Sequence, residues 1–149
     1  MTGRPDGAPV DLQRAVQDLR IELAVLNDKV AAAVGLNPRD LDVLDVVAHE
    51  GPCTPGHLAA RTGVPAATLT GVLARLARDG WITRTPDPDD GRSARIAAAA
   101  RVAELRTRYA SADVEVAELL AELDTREQCV IAAFLASVAA AARRAGDRF

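Results

Sequence analysis

Three observations predict a mainly α-helical fold carrying a single two-stranded β-hairpin. Apolar residues make up 49% of the 149, yet only Trp81, Tyr109, Phe134 and Phe149 are aromatic, and the bulk is Ala, Leu, Val and Arg, which is helix-forming material. Several long segments place apolar residues three and four apart, the period of a helix with one buried face. Only one stretch, residues 81–96, couples strand formers to dense turn chemistry.

Residues 1–9 hold two Pro and two Gly and read as a disordered arm. From Leu12 a helix begins, with Leu12, Val16, Leu19, Leu23, Leu26 and Val30 at alternating spacings of four and three. That is a heptad-like seam, and Gly35 closes it. Asn37-Pro38 supplies a cap followed by proline in the first helical position, with Asp40 favouring the positive helix end. Leu41, Leu44, Val47 and Ala48 form the apolar face of this second helix, and Gly51-Pro52 stops it. Thr54-Pro55 repeats the signature and opens a short helix carrying Leu58 and Ala59, ended by Gly63. A fourth helix, over 65–78, puts Leu69, Val72, Leu73 and Leu76 on one face and ends at Gly80.

The chain then changes character. Trp81-Ile82-Thr83-Arg84-Thr85 reads as a strand, Pro86-Asp87-Pro88-Asp89-Asp90-Gly91 as a long hairpin tip, and Ser93-Ala94-Arg95-Ile96 as a short returning strand. Residues 97–100, four alanines, favour a helix instead. Beyond them Val102, Leu105, Tyr109, Ala112, Val116, Leu119 and Leu123 again step by three and four. A last helix starts at Asp124, which forms a capping-box pattern with Glu127. Ile131, Phe134, Leu135 and Val138 are its stripe, and Arg143-Arg144 suit its negative end. No repeat and no second domain boundary is visible, so residues 1–149 are expected to form one unit.

The formal net charge of -3 hides an uneven distribution. Residues 1–53 carry 5 basic and 9 acidic groups, residues 54–101 carry 7 arginines against 4 aspartates, and residues 102–149 carry 6 against 8. The middle third is therefore locally basic at +3, and affinity for phosphate depends on charge at the contact face rather than on the total. No stretch reaches the roughly 18 uninterrupted apolar residues of a membrane span. No signal peptide is visible, and two cysteines make no disulfide framework. A cytoplasmic protein without membrane attachment is the expectation.

Within the middle third, Ala59, Gly63 and Leu69 stand at the offsets a helix-turn-helix requires. A small residue admits the second helix, glycine makes the turn, and an apolar residue locks the second helix into the core. Leu73-Ala74-Arg75-Leu76 precedes Gly80-Trp81-Ile82-Thr83-Arg84, and Asp87-Pro88-Asp89-Asp90-Gly91-Arg92-Ser93 follows. The Gly-x-Ile-x-Arg run and the Asp-x-Arg tip closely resemble the wing of the MarR family of bacterial regulators, and the helix order is similar along nearly the whole chain.

That resemblance implies a mainly α winged helix-turn-helix with a two-stranded wing and N- and C-terminal dimerisation helices. The winged lobe is expected at 38–97 and the dimerisation helices at 10–35 and 100–146. It implies a homodimer that binds a pseudo-palindromic operator in double-stranded DNA, as a ligand-responsive repressor whose small-molecule effector is unidentified. By the same resemblance the helix 65–78 enters the major groove and presents Ala66, Ala67, Thr68, Thr70, Gly71 and Arg75. Arg92 becomes the minor-groove arginine, Asp90 its orienter through a charge-assisted hydrogen bond, and Ser93 completes the tip. Thr54 is a candidate phosphate contact, Arg61 a weaker one, and Arg84 a brace for the wing. Two departures stand out. Pro65 occupies a position where family members place a Ser-like cap, and Ala98-Ala99 with Val102 replace a Leu-Thr run with a later glycine, so a short or frayed return strand is expected.

The outer face of 65–78 is poor in hydrogen-bonding groups. This favours an alternative, a winged-helix protein-interaction module without sequence-specific DNA binding. No catalytic constellation, cofactor motif or metal-ligand spacing is present in the sequence, so neither an enzyme nor a metalloprotein is expected. His49 and His57 read as surface or interface residues, Cys53 as a small buried one, and Cys129 lacks a basic neighbour that would suit redox chemistry.

Overall fold

A computed structural model describes residues 11–148, so the N-terminal arm expected at 1–9 lies outside the described residues. Four helices come first: α1 (Leu12–Val34), α2 (Pro38–Glu50), α3 (Pro55–Thr62) and α4 (Ala66–Arg78). Strands β1 (Ile82–Pro86) and β2 (Ala94–Ala98) follow, then a 3-10 turn (Ala100–Val102), α5 (Ala103–Ala121) and α6 (Thr125–Gly146).

The caps that set these boundaries were readable from side-chain chemistry. Asn37 Oδ1 accepts the Asp40 amide at 2.9 Å and Thr54 Oγ1 accepts the His57 amide at 3.2 Å. Asp124 and Glu127 close a reciprocal capping box at 2.8 and 3.0 Å. Pro65 contributes no cap bond to α4. Of the four described glycines with positive φ, two shape the reading lobe: Gly63 at +68° between α3 and α4, and Gly80 at +78° after α4. At the second, the Trp81 amide reaches back to the Leu76 carbonyl at 2.8 Å, a helix-ending bond that delivers Trp81 directly into the core.

The core sits inside the lobe. Leu41, Leu44 and Val47 of α2 pack with Leu58 of α3 and with Leu69, Val72, Leu73 and Leu76 of α4. Trp81, Ile82 and Ile96 seal it from the wing side, and Val30, Ala31, Val102 and Leu105 bring in the inner ends of α1 and α5. Trp81 is the bulkiest side chain fully buried there.

The return strand differs from expectation. It is neither short nor frayed: Ala98 pairs with Ile82 and Ala97 with Thr83, and the Ala99 amide continues the pairing to the Trp81 carbonyl at 2.9 Å. Alanine's helix preference amounts to less than about 1 kcal/mol per residue, and cross-strand hydrogen bonds over a buried Ile96 outweigh it. Helical structure resumes only at Ala100. A further pairing was not anticipated. Cys53 exchanges both backbone hydrogen bonds with Ile96, at 2.9 and 2.8 Å, and so adds a single-residue bridge beside β2.

The terminal helices are the opposite of the lobe. Leu12, Leu19, Leu23, Val116, Leu119, Ile131, Phe134 and Leu135 all remain exposed, and α6 has no buried residue. By length and composition α6 would suffice to cross a membrane, although counting uninterrupted apolar residues had found no such segment. Alanines dilute its apolar character, and its charges collect at the two ends. One polar contact ties the inner ends of α1 and α5, with Tyr109 Oη donating to Asn27 Oδ1 at 2.9 Å.

Because Trp81 fills the junction of α4, the wing and α5, Trp81→Ala should destabilise the fold by about 3–5 kcal/mol. Urea unfolding at matched protein concentration measures this; an unchanged midpoint would contradict the packing described.

Candidate nucleic-acid interface

Two elements project polar groups away from the core: the N-terminal half of α4 and the tip of the hairpin. Ala66, Ala67, Thr68 and Thr70 are all exposed, with Gly71 half-buried beside them. Since Pro65 carries no cap group, the first amides of α4 keep their donors free, and a helix N-terminus with bare amides is partially positive. Thr70 spends its hydroxyl proton on the Ala66 carbonyl at 3.0 Å, so it meets a partner only as an acceptor or through its methyl group. Thr54, at the head of α3, accepts a backbone amide and retains a hydroxyl proton to donate.

The wing tip is a backbone construction. Asp87 N–H donates to the Ser93 carbonyl and Ser93 N–H to the Asp90 carbonyl, both at 2.9 Å. Asp90 Oδ1 accepts the backbone amide of Arg92 at 3.0 Å. The expectation that Asp90 holds the Arg92 side chain is thereby corrected: with only Gly91 between them in a tight turn, the carboxylate reaches the nearer backbone amide and fixes the loop instead. Arg95 braces the base of the tip, 3.8 Å from buried Asp87 and 4.0 Å from Asp89, and its Nη1 donates to the Pro52 carbonyl.

Following each arginine of the basic third to its partner sharpens the charge argument. Arg61 shares Glu50 with His57, and these two bonds hold the Glu50 carboxyl below its ordinary range. Arg78 pairs with Asp79, and Arg101 with Glu104. Arg101 also lies 4.2 Å over the Trp81 ring and donates to the Asp79 carbonyl at 2.6 Å, clamping the end of α4 to the start of α5. Arg75 grips Asp40 of α2 through two hydrogen bonds, which raise its already high pKa. Among the described residues only Arg84 and Arg92 of these seven have no carboxylate within 4.0 Å. The local excess of positive charge is concentrated on these two.

Arg84 is the residue sequence reasoning placed too passively. It stands on the same side of β1 as Ile82 and lines a cleft of about 150 Å³ with Pro55, Gly56, Ala66 and Thr70. It is therefore set beside the first turns of α3 and α4, not merely within the wing. The period-two alternation from Ile82 was the signal that pointed there.

A second cavity, of about 320 Å³, opens between α2 and α5 and is lined by Asp45, His49, Leu105, Arg106, Tyr109 and Asp113. Burial, then the neighbouring Asp42 charge, pushes the Asp45 carboxyl up to about 6. Burial and these two carboxylates push the Tyr109 phenol up to about 12.

A helix-turn-helix of α3 and α4, a wing of β1 and β2 carrying an unpaired arginine, and long helices on either side define a winged helix-turn-helix protein. A MarR-family sequence profile matches residues 34–93. Over 122 residues the chain is 36% identical to the HTH-type transcriptional regulator Mb0904 of Mycobacterium bovis, covering 81% of this chain and 82% of that one. A shorter similarity, 35% over 68 residues, reaches the HTH-type transcriptional regulator YcgE of Bacillus subtilis and spans 44% of its length and 46% of this chain. The fold is similar to the transcriptional regulator Tm0710 of Thermotoga maritima, with a TM-score of 0.64, 26% identity and coverage of 91% and 96%. It is also similar to a mutant MarR of E. coli complexed with operator DNA, with a TM-score of 0.56, 21% identity and coverage of 87% and 94%. The chain belongs to the MarR family of transcriptional regulators.

The Asp45 environment gives a pH prediction with a definite sign. Its folded pKa, near 6, lies above the ordinary 3.8, so the charged carboxylate costs stability above pH 6. That cost fades as the pH falls from about 6 towards 3.8, because the folded state takes up the proton first. Asp45→Asn should therefore melt at a higher temperature than the parent at pH 7, and the gap should close near pH 4. Thermal melts across this range check it; coincident curves at pH 7 would refute it.

Proposed function

We propose that this chain is a homodimeric, sequence-specific regulator that binds a pseudo-palindromic operator in double-stranded DNA and represses by occupying it. The observation that carries the reading is the placement of the two unpaired arginines. Arg92 stands at the tip of a wing fixed by Asp90, shaped to enter a narrow minor groove. Arg84 lies between this wing and the bare amides of α4, where a phosphate would run. Thr54 and Ser93 flank the same surface, and Ala66, Ala67, Thr68, Thr70 and Gly71 offer methyl and backbone contacts to the major groove. That a protein of the same fold, the E. coli MarR mutant, is complexed with operator DNA supports the DNA-binding reading.

The uncovered stripes of α1, α5 and α6 support a dimer in which residues 10–35 and 100–146 of two copies interlock. Burying them against a second copy removes from water the apolar surface one chain leaves exposed. The cavity between α2 and α5 lies where the lobe meets these helices. A small effector seated there would contact both and bias the spacing of the two reading heads. These features suit a protein acting in the cytoplasm, where its DNA is.

The alanine-rich outer face of α4 favours a second reading, a winged-helix module that binds protein. Salt separates the two. Binding of the full chain to duplex from its own upstream region should fall linearly in log–log form with added salt. Arg92→Ala should weaken it about tenfold or more and reduce the slope by about one. No complex at low salt, or an Arg92→Ala variant that binds as the parent does, would favour the protein-binding module.

A further inference from the structure

We infer that Asp40 and Arg75 form a fixed reader of one guanine in each half-site, with Asp40 as the positioning residue behind the arginine. The inference rests on the DNA-binding reading above and names the base that surface selects. Asp40 is one of two acidic side chains buried in the core region, at 3% exposure, whereas Arg75 is exposed. Arg75 Nε donates to Asp40 Oδ2 at 3.0 Å and Nη2 to Oδ1 at 2.8 Å. A guanidinium has five N–H donors, and two of them are used on this edge. The remaining edge keeps one N–H on Nη2 and two on Nη1, including the parallel pair that matches the O6 and N7 acceptors of guanine. Adenine presents an amino group in place of O6 and would set donor against donor.

Three further features argue for a base rather than a phosphate. Helical side chains lean towards the N-terminus of their helix, so Arg75 reaches back along α4 towards the end that faces DNA. There its Nη1 lies beside Gly71, where an added Cβ would stand in ordinary contact at 3.7 Å. The Asp40 charge also offsets that of Arg75, which weakens the pull on a phosphate but leaves the direction of the free N–H groups intact. Sharing its carboxylate across 35 positions of sequence, the arginine loses the rotamer freedom it would otherwise give up on binding.

The test uses the full chain and duplexes it selects from random sequence. Replacing the read guanine by 7-deazaguanine, or by adenine, should cost the parent roughly 5- to 150-fold in affinity, with no effect of comparable size from the same change at a neighbouring guanine outside the site. Arg75→Lys and Asp40→Asn, each checked for an intact melting transition, should lose that discrimination. Arg75→Lys should keep the salt slope of the parent, whereas Asp40→Asn, which frees the Arg75 charge for a phosphate, should steepen it. A purely structural brace would weaken binding to every duplex alike and leave the base profile unmoved. The proposal is overturned if no guanine in the selected site is sensitive to 7-deaza replacement, which needs no variant at all. It is equally overturned if either variant retains the full base profile. Should the parent bind no duplex at low salt, the DNA-binding reading falls together with this one; specific binding without an Arg75-dependent guanine sinks this one alone.

Discussion

The chain carries more apolar surface than its own fold can cover, and the rest of the account depends on that constraint. Its core centres on the lobe, where α2, α3, α4 and the hairpin enclose Leu41, Leu44, Leu73 and Trp81 and only the inner ends of α1 and α5 contribute from outside. Outside the lobe the balance reverses. Leu119 is 64% exposed and Val130 63%, on helices long enough to hold several such residues in line. Apolar area of this extent is what a partner of matching shape removes from water. A second copy would satisfy the requirement by symmetry, and in the proposed dimer the same symmetry would set two reading heads at a fixed separation.

One junction joins α4, the wing and the start of α5. Arg101 stacks on Trp81, donates to the carbonyl of Asp79 that caps α4 and pairs with Glu104 in the first turn of α5. Trp81 in turn holds the helix end through its amide and the return strand through its carbonyl. The three elements thus share one buried ring, Trp81. The cavity beside Asp45 and Tyr109 lies on the α2 side of α5.

Much of the architecture was legible because it is specified locally. Asn37-Pro38, Thr54-Pro55 and the Asp124–Glu127 box mark helix starts within four residues, and Gly63 and Gly80 mark the turns. What escaped is specified at a distance. The bridge of Cys53 to Ile96, the strand conformation of Ala97 and Ala98, and the grip of Asp40 on Arg75 each join residues far apart in sequence. No composition or period encodes them. The local basicity of residues 54–101 was readable, but its concentration on Arg84 and Arg92 emerged only when every other arginine had found its carboxylate. The side chain of Asp90 accepts the backbone amide of Arg92 rather than its guanidinium, because a tight turn with one intervening glycine brings that amide nearer.

The central claim is that two copies, joined through their terminal helices, read one DNA duplex. Its most direct test is the mass of the complex, measured by sedimentation with the full chain and a duplex it binds specifically. The account predicts two chains per duplex, and a dimer of the same mass in the absence of DNA. A stable complex of one chain with one duplex, formed from a monomer whose terminal helices stay bare, would contradict it.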